Sequence, residues 1–331
     1  MSFKLLHTLF YKSSLVLLMG VVFLWPFKAF GAELADTADS RNNFMTPVDT
    51  QRDYLSGRFV NYVKDIDRFF GDDRNYLESN KSVLQLDVTR VVGRGAERKF
   101  VLSGRAKLHL PSIEKRLHLL LESNPDQNVT GEQAKIQATP IDQVAAPESY
   151  AAAARFENEV DKRAHYSADA GIKFQGLNTS PFARARVRYS LTMDAWRMRA
   201  AETFFWFNTT GVGSTTELNF ERPISDPMLF RASSNATWLR DTGNFDLRQD
   251  LSVFHTLDER AAMLYQASAI GVSRPDLQVS EYVLLMLLRY RLHRKWVFLE
   301  LSPQLHFPET MNYRSDPQFV MRLELLFDDM K

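Results

Sequence analysis

The chain has no cysteine among its 331 residues. Disulfides, thiolate metal sites, thiol nucleophiles and a lipid-anchored N-terminal cysteine are therefore excluded. Neither sign of charge dominates, with 41 Lys and Arg against 40 Asp and Glu, so no nucleic-acid partner is expected. Glycine (14) and proline (13) are modest. The seven histidines are scattered without a metal-ligand spacing such as HExxH, and no Gly-rich phosphate loop occurs; no metal or other cofactor is expected. After the N-terminal segment, no apolar run reaches the ~18 residues that a membrane-spanning helix requires. What the chain does have is aromatic residues: 24 Phe, 11 Tyr and 5 Trp.

The N-terminus reads as a targeting segment. Lys4 and Lys12 precede an apolar run from Leu15 to Trp25, followed by Pro26 and the small residues Ala29, Gly31 and Ala32. The run is too short to span a bilayer as a helix, and cleavage after Gly31 places small residues at the positions a signal peptidase reads. Residues 1–31 are expected to be a cleaved signal peptide; its removal takes Lys4, Lys12 and Lys28, leaving 38 basic against 40 acidic residues. Residues 32–50 are polar and small and read as a flexible leader.

The pattern then changes twice. Over 51–70, Leu55, Phe59, Tyr62, Val63, Ile66, Phe69 and Phe70 recur at three- and four-residue steps, which predicts an amphipathic helix ended by Gly71. A single helix cannot bury such a stripe alone. It is expected to dock on the end or rim of the following domain, to plug it, to lie on a membrane or to bind a periplasmic partner. From about 82 to 327 the period becomes two. In 181–192, Ala183, Ala185, Val187, Tyr189 and Leu191 oppose Arg184, Arg186 and Arg188. In the last segment Phe319, Met321, Leu323, Leu325 and Phe327 oppose Arg322 and Glu324. In 279–291 Val283, Leu285 and Leu287 blur the polar face. In 195–207 Trp196, Met198 and Ala200 share a face with Glu202, which predicts a bulge or a shortened span.

Alternating strands build either a soluble sandwich or a membrane barrel, and three features favour the barrel. The segments run about 10–13 residues, against ~5–6 in globular sheets and ~9–11 in membrane strands. They follow one another through short links, without helices. Closure leaves no backbone group unsatisfied in lipid. Fourteen segments are countable, with twelve as the alternative. Short charged turns (158–163, 257–260, 292–295) alternate with longer Gly-, Asn- or Pro-bearing links, and 124–148 is the longest; such barrels have short periplasmic turns and longer outside loops. The expected organisation is a helix and linker over 51–80, an up-and-down antiparallel transmembrane β-barrel over 81–327, and a tail over 328–331.

With those strands, the Leu15–Trp25 run and the final Phe319-to-Phe327 alternation, the chain resembles the outer-membrane β-barrel proteins of Gram-negative bacteria. The resemblance implies an outer-membrane location, contact with its lipid, and passage through the barrel-assembly machinery. It also implies that Phe327 is the terminal aromatic residue read during assembly, although Asp328–Lys331 follow it here.

Chemistry in such a barrel belongs to the inward faces. The expected pore-lining residues are Arg105, Lys107, Arg184, Arg186, Arg188, Asp246, Arg248, Asp250, Glu300, Arg322 and Glu324. Two readings stand side by side. In one, the lumen is a narrow polar pore whose Arg184/Arg186/Arg188 ladder attracts anions. In the other, the charges neutralise one another in a closed, salt-bridged lumen, and the barrel is a structural or interaction module. His109 and His118 face inward across the 110–116 turn as polar fillers. A lipid-modifying enzyme is not expected. His165-Tyr166-Ser167 matches the His-x-Ser pair of outer-membrane phospholipase A, but Ala168-Asp169 replace the following Asn-Gly and the pair points away from lipid.

Overall fold

The computed structural model describes Ile66, Phe69, Phe70 and residues 82–93, 99–109, 116–126, 148–159, 163–193, 195–294 and 296–328. The signal-peptide and leader expectations, and most of the helix predicted over 51–70, lie outside the described residues.

Fourteen strands follow in chain order: β1 Val83–Gly93, β2 Lys99–His109, β3 Leu117–Ser123, β4 Tyr150–Glu159, β5 Ala164–Gln175, β6 Asn178–Met193, β7 Trp196–Phe207, β8 Gly211–Ser225, β9 Met228–Leu239, β10 Phe245–Thr256, β11 Ala261–Val272, β12 Gln278–Arg291, β13 Val297–Pro308 and β14 Asp316–Asp328. Each pairs antiparallel with its sequence neighbours, and β1 pairs with β14, so the sheet closes on itself. Closure supplies every strand with two ladder partners and removes the open edges that hydrocarbon would leave unsatisfied. Among the described residues the strand count is fourteen, not twelve.

The alternation read from the sequence is the inside–outside alternation of the wall. In β6 Ala183, Ala185 and Val187 are exposed on the outer face, while Arg184 is buried inside. In β14 Phe319 and Met321 are exposed outside and Glu324 is buried inside. A large apolar outer surface, including Phe100, Leu102, Val187, Phe204, Leu284 and Phe319, would be untenable in water but matches a hydrocarbon environment. Aromatic residues gather toward the strand ends. Trp296 stacks on Phe327 at 4.9 Å near the chain's C-terminal end, and Arg222 lies over Trp196 at 5.5 Å, an arrangement suited to the headgroup level.

One expectation fails. Over 195–207 there is neither a bulge nor a shortened span: β7 runs twelve residues in unbroken register with both neighbours. The pattern breaks because the faces carry unusual residues. Arg197, Arg199, Thr203, Phe205 and Phe207 are buried inside, and Glu202 points outward. Irregular register occurs instead between Ile270 and Gly271 and between Pro223 and Ser225. Two of the Gly- and Asn-bearing links, 176–177 and 208–210, are also tighter than their composition implied. β5 and β6 are joined through Gly176 and Leu177 alone, with Gly176 at φ +61°, a left-handed conformation that glycine adopts without strain.

Gly213 has a different reason. A Cβ there would come within 2.4 Å of the Phe205 ring on the adjacent strand, so the missing side chain gives that ring its place inside the barrel.

Candidate functional site: the charged lumen

The lumen follows from the polar positions of the strands, and their charges meet as networks. One network runs across five strands. Lys107 on β2 donates from Nζ to Glu157 on β4 (2.7 Å). Arg155, beside it, approaches Glu157 at 3.6 Å and donates to Asp169 on β5 from Nε (2.6 Å) and Nη2 (2.8 Å). Asp169 also accepts from Arg184 Nε on β6 (3.0 Å), and Arg184 Nη2 reaches Glu122 on β3 (2.6 Å). The chain is Lys107–Glu157–Arg155–Asp169–Arg184–Glu122, three cations alternating with three anions, and all six are buried. Alternation lets each charge replace lost hydration with an opposite charge, as burial demands. Arg184 and Glu122 come from strands three apart in the barrel, so their bond is a chord across the curved inner wall.

A second network spans the closure. Arg289 on β12 bonds Glu300 on β13 and donates to Glu324 on β14 (2.5 Å), with its guanidinium 4.2 Å above the Phe298 ring. Arg322 donates to Glu300 (2.6 Å), and Gln85 joins Glu324 (3.2 Å) to Asp87 and Arg105 on the other side of the seam. On β10 and β11, Arg248 donates to Asp250 (2.9 Å), which also accepts from Gln266 (3.2 Å). The first residues of the long 124–148 link turn into the lumen: Asp126 pairs with Lys173, and the Pro125 carbonyl accepts from Arg184 Nη1 at 3.5 Å.

Every residue expected to line the pore is on an inward face. Arg105, Lys107, Arg184, Asp250, Glu300, Arg322 and Glu324 enter the first two networks or the β10–β11 cluster. Asp246 sits on the inward face at the start of β10 and is exposed. Arg186 donates to Glu217 (3.1 Å) and Thr203 (3.1 Å), so the first two ladder arginines both have acidic partners on other strands; Arg188 lies half-buried below them. Residues 182–231 nevertheless leave this sector rich in cations. Arg184, Arg186, Arg188, Arg197, Arg199 and Arg231 face inward from β6, β7 and β9, and the acids between them are Glu217 and Glu221 on β8, the latter 2.9 Å from Arg231. His165 and Ser167 share the inward face of β5, away from lipid; their register partners are Arg188 and Arg186. His109 and His118 are register partners on β2 and β3. Phe327 projects outward against Trp296.

Part of the inner wall is apolar, a feature that sequence reasoning registered only as a blur. Val283, Leu285 and Leu287 on β12 face inward and form, with Leu229, Phe254, Ala262 and Leu264, a buried cluster at the short-turn end. Ile66 and Phe70 complete it. Phe70 meets Phe254 edge-on at 5.1 Å, Phe69 meets Phe298 at 5.9 Å, and Phe70 N–H donates to the Ile66 carbonyl (2.9 Å), one helical turn. Three residues of the stripe predicted over 51–70 thus contact the inside wall of the barrel, and the blurred strand face is the surface that receives them.

No protein-family model matches this sequence, and no curated protein matches it. Among solved structures the chain is similar to a bacterial polysaccharide outer-membrane secretin (10% identity, 75% of this chain and 98% of the other, TM-score 0.46). It is similar to a FadL homologue of Pseudomonas aeruginosa (9% identity, 76% and 91%, TM-score 0.46). It is also similar to the outer-membrane channel DcaP of Acinetobacter baumannii (9% identity, 75% and 96%, TM-score 0.44). Likenesses this distant carry no statement about what this lumen admits. The assignment to the outer-membrane barrel class rests on the closed fourteen-strand wall and its apolar outer face.

Proposed function

We propose that the protein is an outer-membrane barrel providing a narrow polar path for small solutes, with a preference for anions. The observation that carries this reading is the β6–β9 sector, whose strands turn six arginines and two glutamates inward, one of the arginines, Arg184, being shared with Asp169 and Glu122 of the neighbouring strands. In a low-dielectric tube, fixed charge of one sign concentrates mobile counter-ions and sets selectivity. The test is planar-bilayer conductance of the folded barrel under a salt gradient. A current with an anion-favouring reversal potential is expected, and Ala at Arg184, Arg186 and Arg188 together should move that potential toward zero. A folded barrel that passes no current refutes the pore reading.

A second reading has its own observation. The lumen networks cross between strands, and Ile66 and Phe70 occupy the apolar wall at the short-turn end. If the lumen stays closed, the barrel is a structural or interaction module in which residues preceding Ile66 engage a periplasmic partner. Absence of conductance, with capture of a periplasmic protein that requires residues 51–65, would favour it.

A further inference from the structure

The outer face of β7–β10 breaks the apolar belt at mid-height. Glu202 lies on the same outward face of β7 as Trp196 and Trp206, six residues from the first and four from the second. At ~3.4 Å per residue it is about 20 Å and about 14 Å from these two rings along the strand, or about 16 Å and about 10 Å in height for a strand tilted ~40°. They mark the two headgroup levels of an apolar band ~25 Å tall. The carboxylate therefore sits near the middle of the hydrocarbon. It accepts from Thr216 Oγ1 on β8 (2.6 Å), itself outward-facing. Ser214 is two residues away on the same face of β8, and on the next two strands Ser234 donates to Gln249. Elsewhere the same height is greasy: Leu284, Met286, Leu301, Met321 and Leu323 hold it on β12–β14.

We propose that this patch is the contact surface between two copies of the chain. Acyl chains offer no hydrogen-bond partner to a carboxylate, two or more hydroxyls and an amide. A water-soluble protein cannot reach the bilayer midplane, so the occupant is itself membrane-embedded. A second copy meets the requirement by construction. All copies insert in one orientation, so a two-fold axis along the membrane normal sets each patch against its equal at the same depth. The patch is self-complementary: Glu202 and the Gln249 carbonyl accept, while Ser214, Thr216, Ser234 and the Gln249 amide donate. The neighbouring outward positions Ala200 and Ala232 are small and let two curved walls approach. This contact does not depend on whether the lumen conducts.

The absence of native cysteine makes the test direct. Thr216→Cys and Ser234→Cys variants of the full chain, folded in phosphatidylcholine vesicles at high lipid dilution, are oxidised and compared with Leu323→Cys on the opposite side. Cross-linked dimers are expected from the first two at least tenfold faster than from the third. Glu202→Leu in the Ser234→Cys background is expected to lower that rate at least tenfold while the barrel keeps its heat-modifiable gel mobility. Equal rates at all three sites, or a Glu202→Leu rate equal to the parent's, overturns the proposal. Should the cysteine variants fail to fold, sedimentation equilibrium of the native chain in detergent decides: a dimer supports the contact, and a monomer at all concentrations overturns it.

Discussion

Asp169 is the hinge of the largest lumen network, and its substitution by Asn has a calculable consequence. The carboxylate accepts two hydrogen bonds from Arg155 and one from Arg184, all between 2.6 and 3.0 Å. Hydrogen bonds to charged groups contribute ~1.5–3 kcal/mol each, and removing one partner from a buried ion pair costs ~3–5 kcal/mol because the survivor stays desolvated. Neither arginine is left wholly unpaired: Arg184 retains Glu122 at 2.6 Å and Arg155 retains Glu157 at 3.6 Å. The cost should therefore fall near the lower limit, about 3 kcal/mol. Equilibrium unfolding in urea from lipid vesicles, followed by tryptophan fluorescence, should show a lower midpoint with an unchanged slope. The double-mutant cycle with Arg155→Met should give a coupling of at least ~1.5 kcal/mol, since the two side chains act as one unit. A loss under ~0.5 kcal/mol, or strict additivity, would refute the network.

Other consequences follow from particular contacts. Phe70→Ala empties the pocket against Phe254, a loss of ~3 kcal/mol for that contact, and should raise thiol labelling of a Leu264→Cys lumen site at least about tenfold; unchanged labelling would mean that Phe70 does not cover this wall. Gly213→Val forces a side chain into the Phe205 ring and should destabilise the barrel by ~1–3 kcal/mol in the same urea assay. Phe327→Ala, which removes a ring stacked on Trp296 at the membrane-facing surface, should lower the cellular yield of folded barrel far more than it lowers the stability of protein refolded in vitro, as pulse-chase assembly would record.

The wall was legible because a barrel strand has one rule, alternation between hydrocarbon and lumen, and most segments obey it over ten or more residues. The alternation read over 181–192 and over Phe319–Phe327 lies wholly within β6 and β14. The rule misleads where a face departs from its usual chemistry. In β7, inward Phe205 and Phe207 and outward Glu202 reverse the expected polarity, so an intact strand read as a defect, and Arg197 and Arg199 went unnoticed as lumen residues. Arg155, one strand position from Phe156, was equally readable by phase but was passed over beside a run of alanines. In β12 the blur at Val283, Leu285 and Leu287 was a true signal of an apolar inner wall, but what covers it lies more than two hundred residues earlier. The charge partners were beyond reach for a related reason. Phase alone places Arg184 inside; that it meets Glu122, 62 residues away and three strands over, depends on the curvature of the closed sheet.

The claim on which the rest depends is that the apolar face of the strands meets hydrocarbon and the charged face meets the lumen. Single cysteines placed in turn at residues 183 to 188 of β6, in lipid vesicles, test it directly. Quenching by brominated acyl chains of a fluorophore at each site should be strong at 183, 185 and 187 and weak at 184, 186 and 188. Uniform quenching along the six positions, or no quenching at any of them, would contradict the assignment.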